Sequence, residues 1–175
     1  MTVPLLMIAG TFYRSIRADR VDRVLDPPGP NSAGRYHRHG QPALYLSPAV
    51  EWAYIATSGY WREDGIQRVV VPLALDSASV FDQRDLDACR SLGIDRERSN
   101  VAWRKALEDG VEPPSWQNAD AARAAGADGI VDRSRHIPDG WHVTLFSWNT
   151  FGAPIVAIAG EPIVVELSSS KDHWG

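Results

Sequence analysis

The sequence predicts a single compact α+β domain, with mixed and antiparallel strands flanked by short helices. Three observations predict it. The chain has 175 residues, about the length of one domain and enough to bury a sizeable core. Its composition, 44% hydrophobic and 23% charged, is that of an ordinary globular protein. Strand-like segments outnumber helical ones, and they follow one another in mixed order without a steady βαβ alternation.

The elements justify this in order. "MTVPLLMIAGTFYR" has a short apolar run and no basic leader region, so it reads as a first strand and not as a signal peptide. "DPPGPNSAG" (26–34) is dense in Pro, Gly, Asn and Ser and predicts a loop. "ALYLS" (43–47) is a short strand, followed by Pro48 at a helix start and a helix through "AVEWAYIATSGYW" (49–61). "QRVVVPLALD" (67–76) is a buried strand whose Pro72 points to an edge or a bulge, and "ASVFD" (78–82) is a second short strand. "QRDLDACRSLG" predicts a helix closed by Gly93, and another runs around "NVAWRKALEDG" to Gly110. Ser115 or Asn118 is placed to cap the Ala-rich helix "WQNADAARAAG", and strands follow at "GIVD", "WHVTLFSW" and "PIVVEL".

Several function classes are excluded or weakened at this level. A formal net charge of −4 argues against gripping nucleic acid or an anionic membrane by bulk electrostatics. No apolar run reaches the roughly 18 residues that span a bilayer. A single cysteine, Cys89, rules out an internal disulfide and the familiar zinc frameworks, and with no export signal it points to the cytoplasm. There is no GxGxxG after a strand, no Walker A sequence, no HExxH and no GxSxG elbow. A metal site on His37 and His39 competes with simple strand alternation, and no metal is expected.

The basic stretch "GRYHRHGQPALYLS" (34–47) remains. Arginine presents a planar fork that matches phosphate oxygens two at a time. Arg35 and Arg38 lie at the lip of a strand, and Arg14 ends the first strand, where a neighbouring strand can bring it beside Arg35. With Tyr13, Tyr36 and Tyr45 nearby, such arginines suit an anionic ligand carrying flat rings. The alternative is that they are solvated or paired with the 22 acidic residues.

Three blocks in order, "YR" near the N-terminus, "GRYHRHGQPALYLS", and "GADGIVDRSR" followed by "WHVTLFSW", resemble the RES domain family over about residues 10–150. The resemblance implies an ADP-ribosyltransferase-like fold and the toxin of a RES–Xre toxin–antitoxin pair. It further implies a substrate, NAD+, consumed by phosphorolysis or hydrolysis, or used to transfer ADP-ribose to a protein, and an Xre-like antitoxin as partner. Arg35 matches the family arginine, Ser134 the serine, Arg14 the first-strand arginine and Tyr45 the tyrosine of "LYLS". The family glutamate falls at Ala56. Glu51, five residues earlier, is rotated about 140° beyond one full turn from it and does not take the same place. His37 stands where an asparagine is common. The resemblance thus implies Arg35, Ser134 and Glu51 as catalytic candidates and Arg14, Arg35, His37, Tyr45 and Ser134 as NAD+-binding ones. Asp128 and Asp132 are further sources of negative charge, and Trp52 and Trp61 of a pocket rim.

The missing carboxylate bears on the chemistry. Breaking the nicotinamide–ribose bond develops positive charge on the ribose, which a carboxylate stabilises, while arginines on the pyrophosphate fix the reactive carbon. Its loss implies a slower enzyme or a non-catalytic nucleotide- or protein-binding module. The enzyme reading requires the Arg35 guanidinium and the Ser134 hydroxyl to meet across one cleft.

Overall fold

The computed structural model describes residues 3–165, without the side chains of Trp61 and Arg62. Its seven strands are β1 (Leu6–Arg17), β2 (Leu44–Leu46), β3 (Arg68–Asp82), β4 (Gly129–Arg133), β5 (Trp141–Leu145), β6 (Val156–Ile158) and β7 (Ile163–Val164). They form one mixed sheet in the order β1-β3-β4-β5-β2, with β6 and β7 also paired to β3. Only the β3–β4 pairing is parallel. The path returns on itself: the Tyr13 N–H donates to the Ser47 carbonyl at 2.8 Å, and the Ser47 N–H to the Tyr13 carbonyl at 2.9 Å. The sheet therefore rolls up, with the end of β2 against β1.

One long strand, β3, replaces the two short ones read from the sequence. A bulge explains both readings. Asp76 and Ser77 together oppose Ala9, where the register shifts between Ile8 and Gly10. The extra residue resets the alternation, so Val71, Leu73 and Leu75 on one side of it and Ala78 and Val80 on the other reach the same core. Pro72 lies between the stretches of β3 that pair with β7 and β6, where a missing donor is tolerated.

The helices are α1 (Val50–Ala56), α2 (Ser58–Asp64), α3 (Leu86–Leu92), α4 (Glu97–Asn100), α5 (Trp103–Glu108) and α6 (Ser115–Ala124). The helix expected over 49–61 is broken at Thr57, whose hydroxyl bonds back to the Tyr54 carbonyl at 3.1 Å and to Ser15 Oγ at 2.7 Å. Asp85 caps α3 through the N–H groups of Asp87 and Ala88, and Gly93 closes it in a left-handed conformation. Neither Ser115 nor Asn118 caps α6. The Ser115 hydroxyl donates instead to the Arg35 carbonyl, and Asn118 is buried within the helix. Strand β5 ends at Leu145, and the Phe146 N–H extends the same register by one more bond, to the Asp128 carbonyl at 2.8 Å. Of "PIVVEL", residues 166 and 167 lie outside the described residues.

Two cores result. Inside the rolled sheet, Phe12, Leu44, Leu46, Leu73, Val131, Val143 and Leu145 pack together. Outside it, Phe81 and Ile130 meet Ala88 and Cys89 of α3, Ala119 and Ala122 of α6, and Tyr36. Strand alternation sends Tyr45 and Asp132 to this outer side, away from Leu44 and Val131, so polar side chains gather where the helices leave the sheet.

Candidate functional site

The stretch after Gly34 folds back on itself, with the Gly34 N–H donating to the His37 carbonyl at 3.0 Å. Glycine is required there by close approach. A Cβ on Gly34 would lie 2.6 Å from both His37 Cε1 and the Tyr45 hydroxyl oxygen. That hydroxyl accepts from the Tyr36 N–H at 3.0 Å and meets His37 Nδ1 at 2.8 Å. Having accepted one proton, it has its own to give to a neutral imidazole. His37 is buried, and burial, reinforced by Arg123 and His39, pushes its pKa down to about 4. Burial likewise pushes the Tyr45 phenol up. The hydroxyl is enclosed, yet the residue as a whole stays 36% exposed, so it is the ring that faces outward.

The two arginines of this loop have different fates. Arg38 donates to Asp120 at 2.6 Å and Glu112 at 2.8 Å and stacks 5.1 Å from the Trp116 ring. Its charge is spent within the fold. Arg35 has no carboxylate in its hydrogen bonds: Nη1 donates to the carbonyls of Ser99 (2.5 Å) and Val101 (3.0 Å). Its Nε and Nη2 donate to no described residue. That pair of nitrogens is the guanidinium edge that grips an oxyanion two oxygens at a time. Burial, then repulsion from Arg135, lowers the Arg35 pKa, and Tyr45 lies close enough to raise it slightly.

Arg135 arrives from the late part of the chain and donates to the same Ser99 carbonyl. It also pairs with Asp132 Oδ2 at 2.8 Å. Asp132 Oδ2 accepts a hydrogen bond from the Tyr36 hydroxyl at 2.5 Å, and Gln83 Nε2 donates to that hydroxyl at 3.1 Å. Ser99 Oγ donates to Gln83 Oε1 at 2.6 Å, while Asn118 Nδ2 donates to Ser99 Oγ at 2.9 Å.

The early and late blocks therefore meet, through Arg35 and Arg135, while no hydrogen bond among the described residues joins the Arg35 guanidinium to the Ser134 hydroxyl. The Ser134 hydroxyl, next to Arg135, accepts from the N–H groups of His136 (3.2 Å) and Ile137 (3.1 Å) and so also holds its own turn. Arg14 is placed apart from Arg35. It shares the strand face of Phe12, donates to the Val24 carbonyl, and has its pKa lowered to about 10 by burial. Glu51 is exposed in the first turn of α1 and bonds to none of the described residues; Ala56, at the other end, is exposed too. Asp128 is tied to the Ser79 N–H at 2.8 Å. Trp52 is half-buried in α1, and the Trp61 side chain lies outside what is described. Among the described residues no group of three or more His, Cys, Asp or Glu is arranged to hold a metal ion.

Two neighbouring features frame the site. Ser47 Oγ meets His142 Nδ1 at 2.6 Å, and burial pushes the His142 pKa down to about 4. Arg104 of α5 lies over the Tyr60 ring of α2 at 4.1 Å and reaches Glu63 at 3.3 Å, joining the segment that holds Arg35 to the one beside Tyr45. A pocket of about 70 Å³ beside Asp132, lined by Gln83, Arg96, Glu97, Asn100, Asp132 and Arg133, is several-fold smaller than a small-molecule site.

The RES domain family model matches residues 9–165. The chain belongs to the RES domain family. Among solved structures, it is similar to MbcT in the crystal structure of the M. tuberculosis MbcT–MbcA toxin–antitoxin complex. That likeness has a TM-score of 0.63 at 12% identity and covers 92% of this chain and 86% of that one. No curated protein matches the chain. The RES fold here is thus the α+β fold of MbcT, in which all three sequence blocks lie within the matched segment. Among the described residues no helix is long and apolar enough to cross a membrane.

Sequence reasoning missed Gln83, Ser99 and Arg135 of this RES chain, and it gave Tyr36 only as a ring near the arginines and Asn118 only as a helix cap. "DRSR" carries a faint signal for Arg135, since its second arginine follows the serine and an acid three residues before it sits at salt-bridge spacing. Gln83 and Ser99 have none, because a buried Gln or Ser is polar, common and unremarkable in a sequence.

Proposed function

We propose that this RES protein is a toxin that degrades NAD+ by cleaving the nicotinamide–ribose bond, acting in the cytoplasm and held in check by an Xre-like antitoxin. The observation that carries the reading is Arg35: pinned through one nitrogen, free of any hydrogen-bonded carboxylate, with Nε and Nη2 bonded to none of the described residues, and near an outward-facing tyrosine ring. Arg35 takes the pyrophosphate, and the Tyr45 ring packs on nicotinamide, its hydroxyl locked behind it by Tyr36 and His37. Ser134, adjoining Arg135, contacts the ribose or a phosphate oxygen at the expense of one of its turn bonds. Arg14, bonded to the Val24 carbonyl on the opposite strand face, takes no part in this arrangement.

In the reaction the bond from ribose carbon to nicotinamide nitrogen breaks, and its electron pair leaves with neutral nicotinamide. The acceptor oxygen, from water or phosphate, forms the new bond to the same carbon and gives up its proton when it is water. Glu51, solvated on an exposed helix start, and Asp132, bound to Arg135 and Tyr36, offer little effective negative charge for the ribose cation. Rate enhancement then rests on positioning, which alone supplies on the order of 7–11 kcal/mol in favourable cases.

The test is to incubate the protein with NAD+ and follow nicotinamide release with and without phosphate, beside an Arg35→Ala control. NAD+ loss above the control is expected, and loss equal to it overturns the enzyme reading. The same exposed Glu51 and neutralised Asp132 favour one second reading, a nucleotide-binding module without turnover. Calorimetry showing tight NAD+ binding with no nicotinamide released would establish that one. Labelled ADP-ribose on a target protein would mark transfer instead.

A further inference from the structure

The hydrogen bonds around Ser99 close into a ring. Ser99 Oγ bonds Gln83, Gln83 bonds the Tyr36 hydroxyl, Tyr36 bonds Asp132, Asp132 bonds Arg135, and Arg135 returns to the Ser99 carbonyl. Asn118 braces it from α6 through Ser99 Oγ and the Asp95 carbonyl, at 2.9 and 2.8 Å. Tyr36, Gln83, Ser99, Asn118 and Asp132 are all buried. Burying this much polarity costs more than an apolar core of equal volume unless its groups are hydrogen-bonded, as these are except for Asn118 Oδ1, which has no partner among the described residues. The ring also holds two guanidiniums on one carbonyl oxygen, an arrangement in which Arg135 lowers the pKa of Arg35. Asp132 offsets one of the two charges and leaves the other to Arg35.

We infer that this ring is a positioning device for Arg35: Tyr36, Gln83, Asp132 and Arg135 fix the Ser99 carbonyl, and that carbonyl fixes the guanidinium so that its Nε–Nη2 edge faces the anionic ligand. The inference rests on the reading of Arg35 as the residue that takes the pyrophosphate. Its elements come from five separate parts of the chain: the loop before β2, the end of β3, α4, β4 and the turn after β4. Arg35 is the ring's outlet to the surface, because its second contact, the Val101 carbonyl, belongs to the chain leaving α4. The ring converges on a carbonyl that also holds Arg35, an arginine whose Nε and Nη2 bond to none of the described residues.

The experiment uses Tyr36→Phe, which keeps the buried ring but removes the hydroxyl joining Gln83 to Asp132. Two readouts are taken. In nicotinamide release, KM for NAD+ is expected to rise about tenfold with kcat changed less than threefold, since a misplaced anchor weakens binding most. In the free protein, nitrogen NMR of the arginine side chains is expected to show resolved, slowly exchanging Arg35 Nη signals in the wild type and averaged ones in the variant. Arg135→Lys, at a half-buried turn position, keeps the charge and is expected to fall between wild type and Arg135→Ala in both readouts; it serves if Tyr36→Phe does not fold. Wild-type turnover with KM and Arg35 signals unchanged in the variants overturns the ring's role and leaves the NAD+ reading standing. A wild type without turnover overturns the NAD+ reading, and the NMR arm then decides the ring by itself: averaged signals in the variants support it, unchanged signals overturn it.

Discussion

His37 should make the fold acid-sensitive by a definite amount, and His37→Asn should remove that sensitivity. The imidazole is buried against Tyr45, and its pKa falls from 6.5 to about 4. The folded-state value is depressed, so between these two values the unfolded chain binds a proton that the folded one refuses. Stability is therefore fully present above about pH 6.5, declines as the pH falls towards 4, and levels off below. Between pH 7 and 4.5 the loss from this one group is about 2.5 kcal/mol. Urea denaturation at the two pH values measures it directly; with a slope of about 1–3 kcal/mol per molar, the midpoint should drop by about 1 M more in wild type than in the variant. His142, also lowered to about 4, contributes to both proteins and cancels in the comparison. Asparagine also keeps a short polar group at the position, so any fixed cost of substitution appears at both pH values. Equal losses in the two proteins would refute the buried neutral histidine.

Three further outcomes test the site. Gly34→Ala should cost about 1–3 kcal/mol in thermal unfolding, because the new Cβ meets both His37 and the Tyr45 hydroxyl at 2.6 Å; unchanged stability would mean the loop is free to move. Tyr45→Phe should lose about 1–3 kcal/mol of stability by orphaning the Tyr36 N–H, yet hold NAD+ affinity within threefold, whereas Tyr45→Ala should weaken NAD+ binding about tenfold by calorimetry. Arg104→Ala should change global stability by less than about 1 kcal/mol, as expected for exposed pairs, while amide exchange in α2 accelerates.

Much of the fold was legible because it rests on local signals. Alternation in "ALYLS" and "WHVTLFSW" marked β2 and β5, and Gly93 marked the end of α3. What failed were readings that needed a partner. Asp76–Ser77 reads as a break between strands, and only pairing with β1 shows it to be a bulge inside one. The helix over 49–61 carries only a weak internal stop, Ser58-Gly59; it breaks at Thr57, whose hydroxyl donates to the Tyr54 carbonyl and is met by Ser15, 42 positions away. The short β6 lacks enough residues to show a period at all.

The site divides along the same line. Arg35 and Tyr45 stand out in the sequence because they belong to a dense block, and Gly34 beside them is explained by the approach of two side chains from within that block. Separating Arg35 from Arg38, however, requires knowing that α6 delivers Asp120 to one and not to the other. Composition counts 18 basic and 22 acidic side chains and cannot say whether Arg35 or Arg38 is left without a carboxylate. The leftover charge is decided by topology: the sheet rolls so that the outer face of β4 sets Asp132 beside Tyr36, and Asp132 in turn takes Arg135 and leaves Arg35 unpaired. An acid brought to Arg35 itself would have closed the oxyanion edge. A functional arginine is thus recognised here less by its own sequence neighbours than by where the carboxylates were sent.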